Sequence, residues 1–242
     1  MRTVRAEGPI ETGISDGLAW ARFAPSRDRE PLAGVVILHG ADSRKESHFD
    51  FARACAGAGL AALAFDARGH GASPGPLDGR VLDDVARMAD LLRERAGVDR
   101  VGLRGSSMGG YLALTAAAEA RASAVVAICP ASAMGLSVGV RGQRFSFTVD
   151  RHAVVALLKE HDEADAIGAL DAAGVPVLLL HAEGDEVVPA DHSRALHALA
   201  PACSKLVVTP GGHHRSIQHD AELQGVAVRF LSRGLRGSSS GS

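Results

Sequence analysis

The sequence predicts a doubly wound α/β fold around a mostly parallel sheet of about eight strands, and three observations carry that expectation. Short apolar runs rich in Val, Ile and Leu alternate along the chain with longer segments of helical spacing, the pattern of strands joined by crossover helices. Several of those runs are almost continuously apolar rather than alternating, as strands covered on both faces are. A chain of 242 residues that is 46% hydrophobic can also bury one large core.

Taken in order, Leu18 to Ala24 reads as an early strand and Gly34 to Leu38, Gly-Val-Val-Ile-Leu, as a buried one. Leu60 to Phe65, Val98 to Leu103, Ala124 to Cys129, Val175 to Leu180 and Lys205 to Val208 repeat the theme. Between them, Glu46 to Gly57, Leu82 to Ala96, Met108 to Arg121 and Ala190 to Ala200 have helical length and spacing. One interval breaks the rhythm. From Pro130 to Gly174 no strand is visible, and a helix is expected near Arg151 to Glu160. An insertion after a central strand belongs above the carboxyl edge of such a sheet, so this segment is read as a small lid. The expected organisation is a single domain from Met1 to Leu231 followed by a disordered Gly/Ser-rich tail from Ser232 to Ser242.

The formal charge is −2, with cations spread along the chain, which argues against a nucleic-acid surface or a basic membrane patch. Met1 to Gly13 lacks the apolar segment of a secretory signal, and no run approaches the roughly 18–20 apolar residues of a membrane span. The three cysteines, Cys55, Cys129 and Cys203, are widely spaced in apolar surroundings. They read as reduced core thiols of a cytoplasmic protein and not as metal ligands.

The pattern Gly-x-Ser-x-Gly occurs five times, centred on Ser15, Ser73, Ser107, Ser137 and Ser239. With 28 glycines in the chain the bare pattern is weak, and context must choose. Ser15 lies in a polar Ser-Asp-Gly turn, Ser73 precedes Pro74 and Pro76, and Ser239 belongs to the tail. Ser137 leads into Arg-Gly-Gln-Arg with no apolar run directly before it. Only Ser107 has a strand-like run before it and a helical run after it, the strand–turn–helix that exposes a nucleophilic hydroxyl. Side chains two residues either side of that bend would collide, and Gly105 and Gly109 avoid this, whereas Ser106 has Arg104 at its −2 position. The Met108 amide then sits at a helix N-terminus, placed to donate to a developing oxyanion.

A nucleophilic serine needs a base, and the base an orienting acid. The run Val175 to Leu180 ends in His-Ala-Glu-Gly-Asp-Glu-Val-Val-Pro. Asp185 is the best acid in that turn, with Glu183 and Glu186 as competitors. The base should follow the last strand, where Thr-Pro-Gly-Gly-His-His-Arg-Ser offers two adjacent candidates, His213 and His214.

The order serine, acid, histidine resembles that of the α/β-hydrolases, in particular carboxylesterase, feruloyl-esterase-like and monoglyceride-lipase-like serine hydrolases. Pro210-Gly211-Gly212-His213-His214 resembles the family's Pro-Gly-x-Gly-His ending, and His214-Arg215-Ser216 a related ending of feruloyl-esterase-like members. Both imply His214 as the base. Leu38-His39-Gly40-Ala41 resembles the His-Gly-x turn, which implies the Ala41 amide as second oxyanion donor and His39 as a loop-ordering residue. Asp66-Ala67-Arg68-Gly69-His70-Gly71-Ala72-Ser73 resembles a segment that shapes the loop near the site, so Asp66 and His70 are implied to be structural.

The expected activity is hydrolysis of a small-molecule carboxylic ester with a short, medium or aromatic acyl group, through an acyl-enzyme and without metal or organic cofactor. A peptidase, an amidase or an acyltransferase would use the same triad. Phe145 and Phe147 are candidates for the pocket wall, although two phenylalanines two apart equally suit one face of a strand.

Overall fold

A computed structural model describes residues 8–26 and 29–236. Ser239 and the rest of the expected tail from residue 237 lie outside the described residues, as do residues 1–7. The elements are β1 (Glu11–Ser15), β2 (Leu18–Phe23), β3 (Gly34–Leu38), α1 (Phe49–Gly57), β4 (Ala61–Phe65), α2 (Val81–Ala96), β5 (Val101–Ser106) and α3 (Met108–Thr115). They continue with β6 (Val125–Ile128), α4 (Ala133–Arg141), α5 (Arg151–Glu160), α6 (Glu163–Ala172), β7 (Val177–Ala182), α7 (Ala190–Leu199), β8 (Ser204–Thr209) and α8 (Ala221–Gly234).

The eight strands form one sheet in the order β1-β2-β4-β3-β5-β6-β7-β8, with β2 antiparallel to both of its neighbours, β1 and β4, and every other pair parallel. Successive residues of β3 serve opposite faces. Val36 and Leu38 join the core beneath α2 and α3, while Val35 and Ile37 join the one beneath α1 and α8. The connections diverge between β3 and β5, and such a switch point opens a crevice at the carboxyl ends of the strands. The turns after β3 and β5 both empty into that crevice.

Several expected boundaries move. β1 was not expected from the sequence; it forms a hairpin with β2 through Asp16 and Gly17, both at positive φ (52° and 80°), the conformation of a type I′ turn. The strand expected from Val98 begins instead at Val101, because Gly97 ends α2 in the left-handed conformation. α3 stops at Thr115, not Arg121. α8 continues through Gly234 and Leu235 is buried, so the folded domain extends past the expected boundary at Leu231.

The segment from Pro130 to Gly174 holds three helices. α4 and α5 pack on each other, and α4 reaches the crevice. α6 packs on α3 and α7 as an ordinary crossover helix. The loop between α4 and α5 is pinned twice. The Ser146 N–H and hydroxyl both donate to Asp42 Oδ1 (2.7 and 2.6 Å). Farther on, the Leu77 N–H donates to Thr148 O and the Asp150 N–H to Leu77 O. Among the described residues no helix is long and apolar enough to cross a membrane.

Candidate active site

Ser107 sits at the bend between β5 and α3 with φ 54° and ψ −120°, a conformation that costs about 1–3 kcal/mol for a non-glycine residue. Its surroundings enforce it. The Ser107 N–H donates to Ile128 O (2.9 Å), and its carbonyl accepts from the Gly110, Tyr111 and Ala131 amides (2.9, 3.1 and 3.0 Å). A Cβ at residue 105 would overlap the Gly109 carbonyl, and one at 109 would lie 2.6 Å from His39 O. The two glycines are therefore steric requirements of the bend. Gly40 brings the turn after β3 alongside, since a Cβ there would lie 3.2 Å from Ser107 Cβ.

That turn carries Ala41. Among the described residues neither the Ala41 nor the Met108 amide has an intramolecular acceptor, and both residues neighbour the bend. His39 orders the turn from within: its Nδ1–H donates to Gly40 O (2.7 Å) and its Nε2 accepts the Ala67 N–H (3.0 Å). Burial, and then the nearby His70, push its pKa down to about 4, so the ring is neutral.

Asp66 is fully buried and accepts from Lys45 Nζ (2.7 Å) and from the Lys45 and Ala72 amides. Burial alone would raise its pKa, but these bonds hold it below the usual carboxylate range. His70 donates to Arg68 O, and Ser73 Oγ ties Asp66 O to the Ala19 amide. These bonds hold the loop in shape, and none of Asp66, His70 and Ser73 lines the cavity at Ser107.

Asp185 follows β7. Its Oδ1 accepts the Val187 and Val188 amides (2.9 and 2.8 Å) and its Oδ2 the His214 Nδ1–H (2.7 Å). His181, the penultimate residue of β7, places Nε2 3.3 Å from the same Oδ2 while donating to Val188 O at 2.9 Å. Burial would raise the Asp185 pKa; hydrogen bonds from His181 and His214, then from the two amides, hold it well below the ordinary value. The competitors have other partners. Glu183 pairs with Arg194 at the surface, and Glu186 accepts the His214 backbone N–H. His213 is exposed and its nitrogen accepts the Arg215 amide. No hydrogen bond joins Ser107 Oγ to His214 Nε2 among the described residues; such contacts commonly close only around a substrate.

Cys129, His181 and Asp185 approach one another as metal ligands do. Hydrogen bonds already occupy both His181 nitrogens and both Asp185 oxygens, and burial pushes the Cys129 thiol above its ordinary range. The donor set does not fit a metal. His181 escaped the sequence reading; its signal is an imidazole ending an otherwise apolar strand four residues before the acid.

A cavity of about 470 Å³ opens at Ser107, lined by Ala41, Leu136, Phe145, Val188 and His192 among others, a volume within the range of small-molecule sites. Among the described residues no Asp or Glu lines it, and Arg144 does. Its mouth carries the exposed apolar side chains of Met134, Val138 and Val187. The two phenylalanines stack on each other with ring centres 5.2 Å apart, but only Phe145 lines the cavity; Phe147 lies behind the wall, its ring centre 3.9 Å from that of His70. A groove of similar size between α3 and α6 lies away from the bend.

Residues 29–167 match the sequence model of a family described as serine aminopeptidase, S33. The chain is 26% identical over 195 residues to the uncharacterized protein YfhR of Escherichia coli K12, covering 76% of this chain and 63% of that protein. The chain thus spans under two thirds of YfhR. Over 203 residues it is 28% identical to an uncharacterized protein of Mycobacterium tuberculosis H37Rv, covering 82% and 69%. Among solved structures, a monoacylglycerol lipase of Paleococcus ferrophilus superposes with TM-score 0.70 at 21% identity, covering 90% of this chain and 99% of that one. Est1E of Butyrivibrio proteoclasticus with bound ferulic acid does so with TM-score 0.71 at 22% identity, covering 93% and 97%. The sheet is that of an α/β-hydrolase.

Proposed function

Because the chain belongs to the serine aminopeptidase S33 family of α/β-hydrolases, we propose that it cleaves carboxylic esters through an acyl-enzyme on Ser107. The observation that carries this reading is the strained Ser107 bend facing a largely apolar cavity, with Asp185 and His214 paired at 2.7 Å at the same sheet edge.

In the proposed reaction the Ser107 oxygen attacks the ester carbonyl as its proton passes to His214 Nε2. Asp185 holds the opposite ring nitrogen as the hydrogen donor and stabilises the imidazolium. The Ala41 and Met108 amides receive the oxyanion, each contributing about 2.7–4 kcal/mol. Collapse expels the alcohol, protonated by His214. Water then attacks the acyl-enzyme by the same route, and the carboxylic acid leaves with Ser107 regenerated.

The family's description favours a second reading, aminopeptidase activity. A peptide amino terminus would be held by carboxylates, and the cavity wall supplies none among the described residues while presenting Arg144. Among the similar structures, one is a monoacylglycerol lipase and Est1E holds ferulic acid, an aromatic carboxylic acid, which supports the ester side. Phe145 and the modest cavity suit a short, medium or aromatic acyl group.

Rates on p-nitrophenyl esters from C2 to C16, beside the anilide of the best acyl group, test the proposal. Ester turnover with a maximum below C16, abolished in Ser107→Ala, is expected. Faster anilide than ester cleavage would establish the peptidase reading instead.

A further inference from the structure

Asp185 orients the His214 ring, but it stands after β7, two strands from the β5 that carries Ser107. Something else must set the distance between serine and histidine. On the chain side before His214, Gly211 and Gly212 adopt positive φ (67° and 76°) and provide no side-chain anchor. On the side after it, the chain is firmly tied. Ser216 N–H and Oγ–H both return to His213 O (3.0 and 2.7 Å), Ile217 is buried in the core beneath α8, and a 3-10 turn runs from Ile217 to His219.

The tie ends on the nucleophile's own strand. Gln218 Oε1 accepts the Ser106 hydroxyl at 2.8 Å, and Gln218 O accepts an Arg104 Nη2 hydrogen at 3.2 Å. Arg104 has no exposed surface, and among the described residues no carboxylate pairs with it. Its Nη1 donates to His48 Nδ1 at 2.8 Å, and its guanidinium lies 4.8 Å from the Phe51 ring centre. A buried cation with no carboxylate in direct contact is a costly way to fill space; here it faces the carbonyl of the histidine loop.

We infer that Gln218 is a positioning residue which, through Ser106 and Arg104, fixes the separation of Ser107 and His214. The inference rests on the triad proposed above. Ser106 and Arg104 precede Ser107 by one and three residues, and Gln218 follows His214 by four, so one short bridge spans both halves of the machinery. Misplacement by about 1 Å costs up to roughly a hundredfold in rate.

The test compares Ser106→Ala, Gln218→Met, their double variant and Gln218→Glu, which keeps an oxygen for Ser106. A fluorophosphonate probe measures the labelling rate of Ser107 per folded molecule, and p-nitrophenyl ester kinetics give kcat and KM separately. Each single variant should lose about tenfold in labelling rate and kcat with KM within twofold. The double variant should be no slower than either single one, and Gln218→Glu should label at the wild-type rate. Unchanged rates, losses that multiply in the double variant, or a loss that only tracks the unfolded fraction would overturn the inference. A wild-type Ser107 that resists the probe would overturn the triad itself, and the positioning role with it.

Discussion

His181 Nε2 lies 3.3 Å from the same Asp185 oxygen that accepts the His214 Nδ1–H at 2.7 Å. The carboxylate is therefore gripped from its own strand as well as by the His214 ring. With Val187 and Val188 donating to its other oxygen, the carboxylate has one rotamer in which all its neighbours are satisfied. Asp185→Asn should lower kcat by about 10³–10⁴-fold by upsetting the imidazole tautomer. His181→Leu should lower it about tenfold with KM nearly constant. Steady-state kinetics on the best ester checks both, and a wild-type kcat in Asp185→Asn would remove that residue from the mechanism.

The bend at Ser107 stores strain that glycine would not feel. Ser107→Gly should abolish turnover yet stabilise the fold by about 1 kcal/mol, raising the melting temperature by about 2–4 °C. Gly109→Ala should instead destabilise the fold and lower the melting temperature, because its methyl would strike the Leu38 and His39 carbonyls. Calorimetry of the three proteins decides the matter.

Two buried histidines make stability pH-dependent in a defined window. His39 titrates near 4 in the fold because of burial and then His70, and His48 is held well below the ordinary value by burial and then Arg104. In the unfolded chain both titrate near 6.5, so the unfolded state binds more protons as pH falls. The His39 stabilisation is complete above about pH 6.5 and is lost between there and pH 4, by about 3 kcal/mol, and His48 adds a loss of the same sign as pH falls below about 6.5. The carboxylates held low, Asp66 and Asp185, contribute losses only at still lower pH. Urea midpoints from pH 8 to 4 should show the fall. A flat profile over that range would count against neutral burial of these rings.

The Asp42–Ser146 bonds join the turn that carries Ala41 to the loop that carries Phe145. Asp42 also adopts a positive φ of 54°, which asparagine tolerates and alanine resists. Asp42→Ala should lower kcat/KM about tenfold, Asp42→Asn less than twofold. Asp42→Gly, which keeps the backbone but loses the anchor, should fall between them. Equal values for all three would leave the tether without a role in turnover.

Much of this architecture was legible from local pattern. Gly34 to Leu38 is continuously apolar and forms the buried β3 with those bounds. β1 was hidden because Glu11–Ser15 is short and half exposed, with only Ile14 as a large apolar residue. Val98 read as part of a strand because it is apolar, yet it caps the end of α2 by burying itself after Gly97. α6 was lost because Glu163–Ala172 is rich in Ala and has few large residues to mark its period. At the site, Ser107, Asp185 and His214 each follow a strand, which pattern reveals. Partners that meet only through tertiary folding leave no such trace: Ser106 and Gln218 are 112 residues apart, and Asp42 and Ser146 are 104 apart.

The α4–α5 segment enters the fold at Ala131, whose amide is held by Ser107 O, and leaves at His161, whose carbonyl accepts the Tyr111 hydroxyl at 2.6 Å. Both seams close on the same short stretch of chain, so the intervening residues behave as an exchangeable cassette. A lineage could swap that cassette and reshape the cavity wall while leaving the Ser107 bend and the Asp185–His214 pair in place.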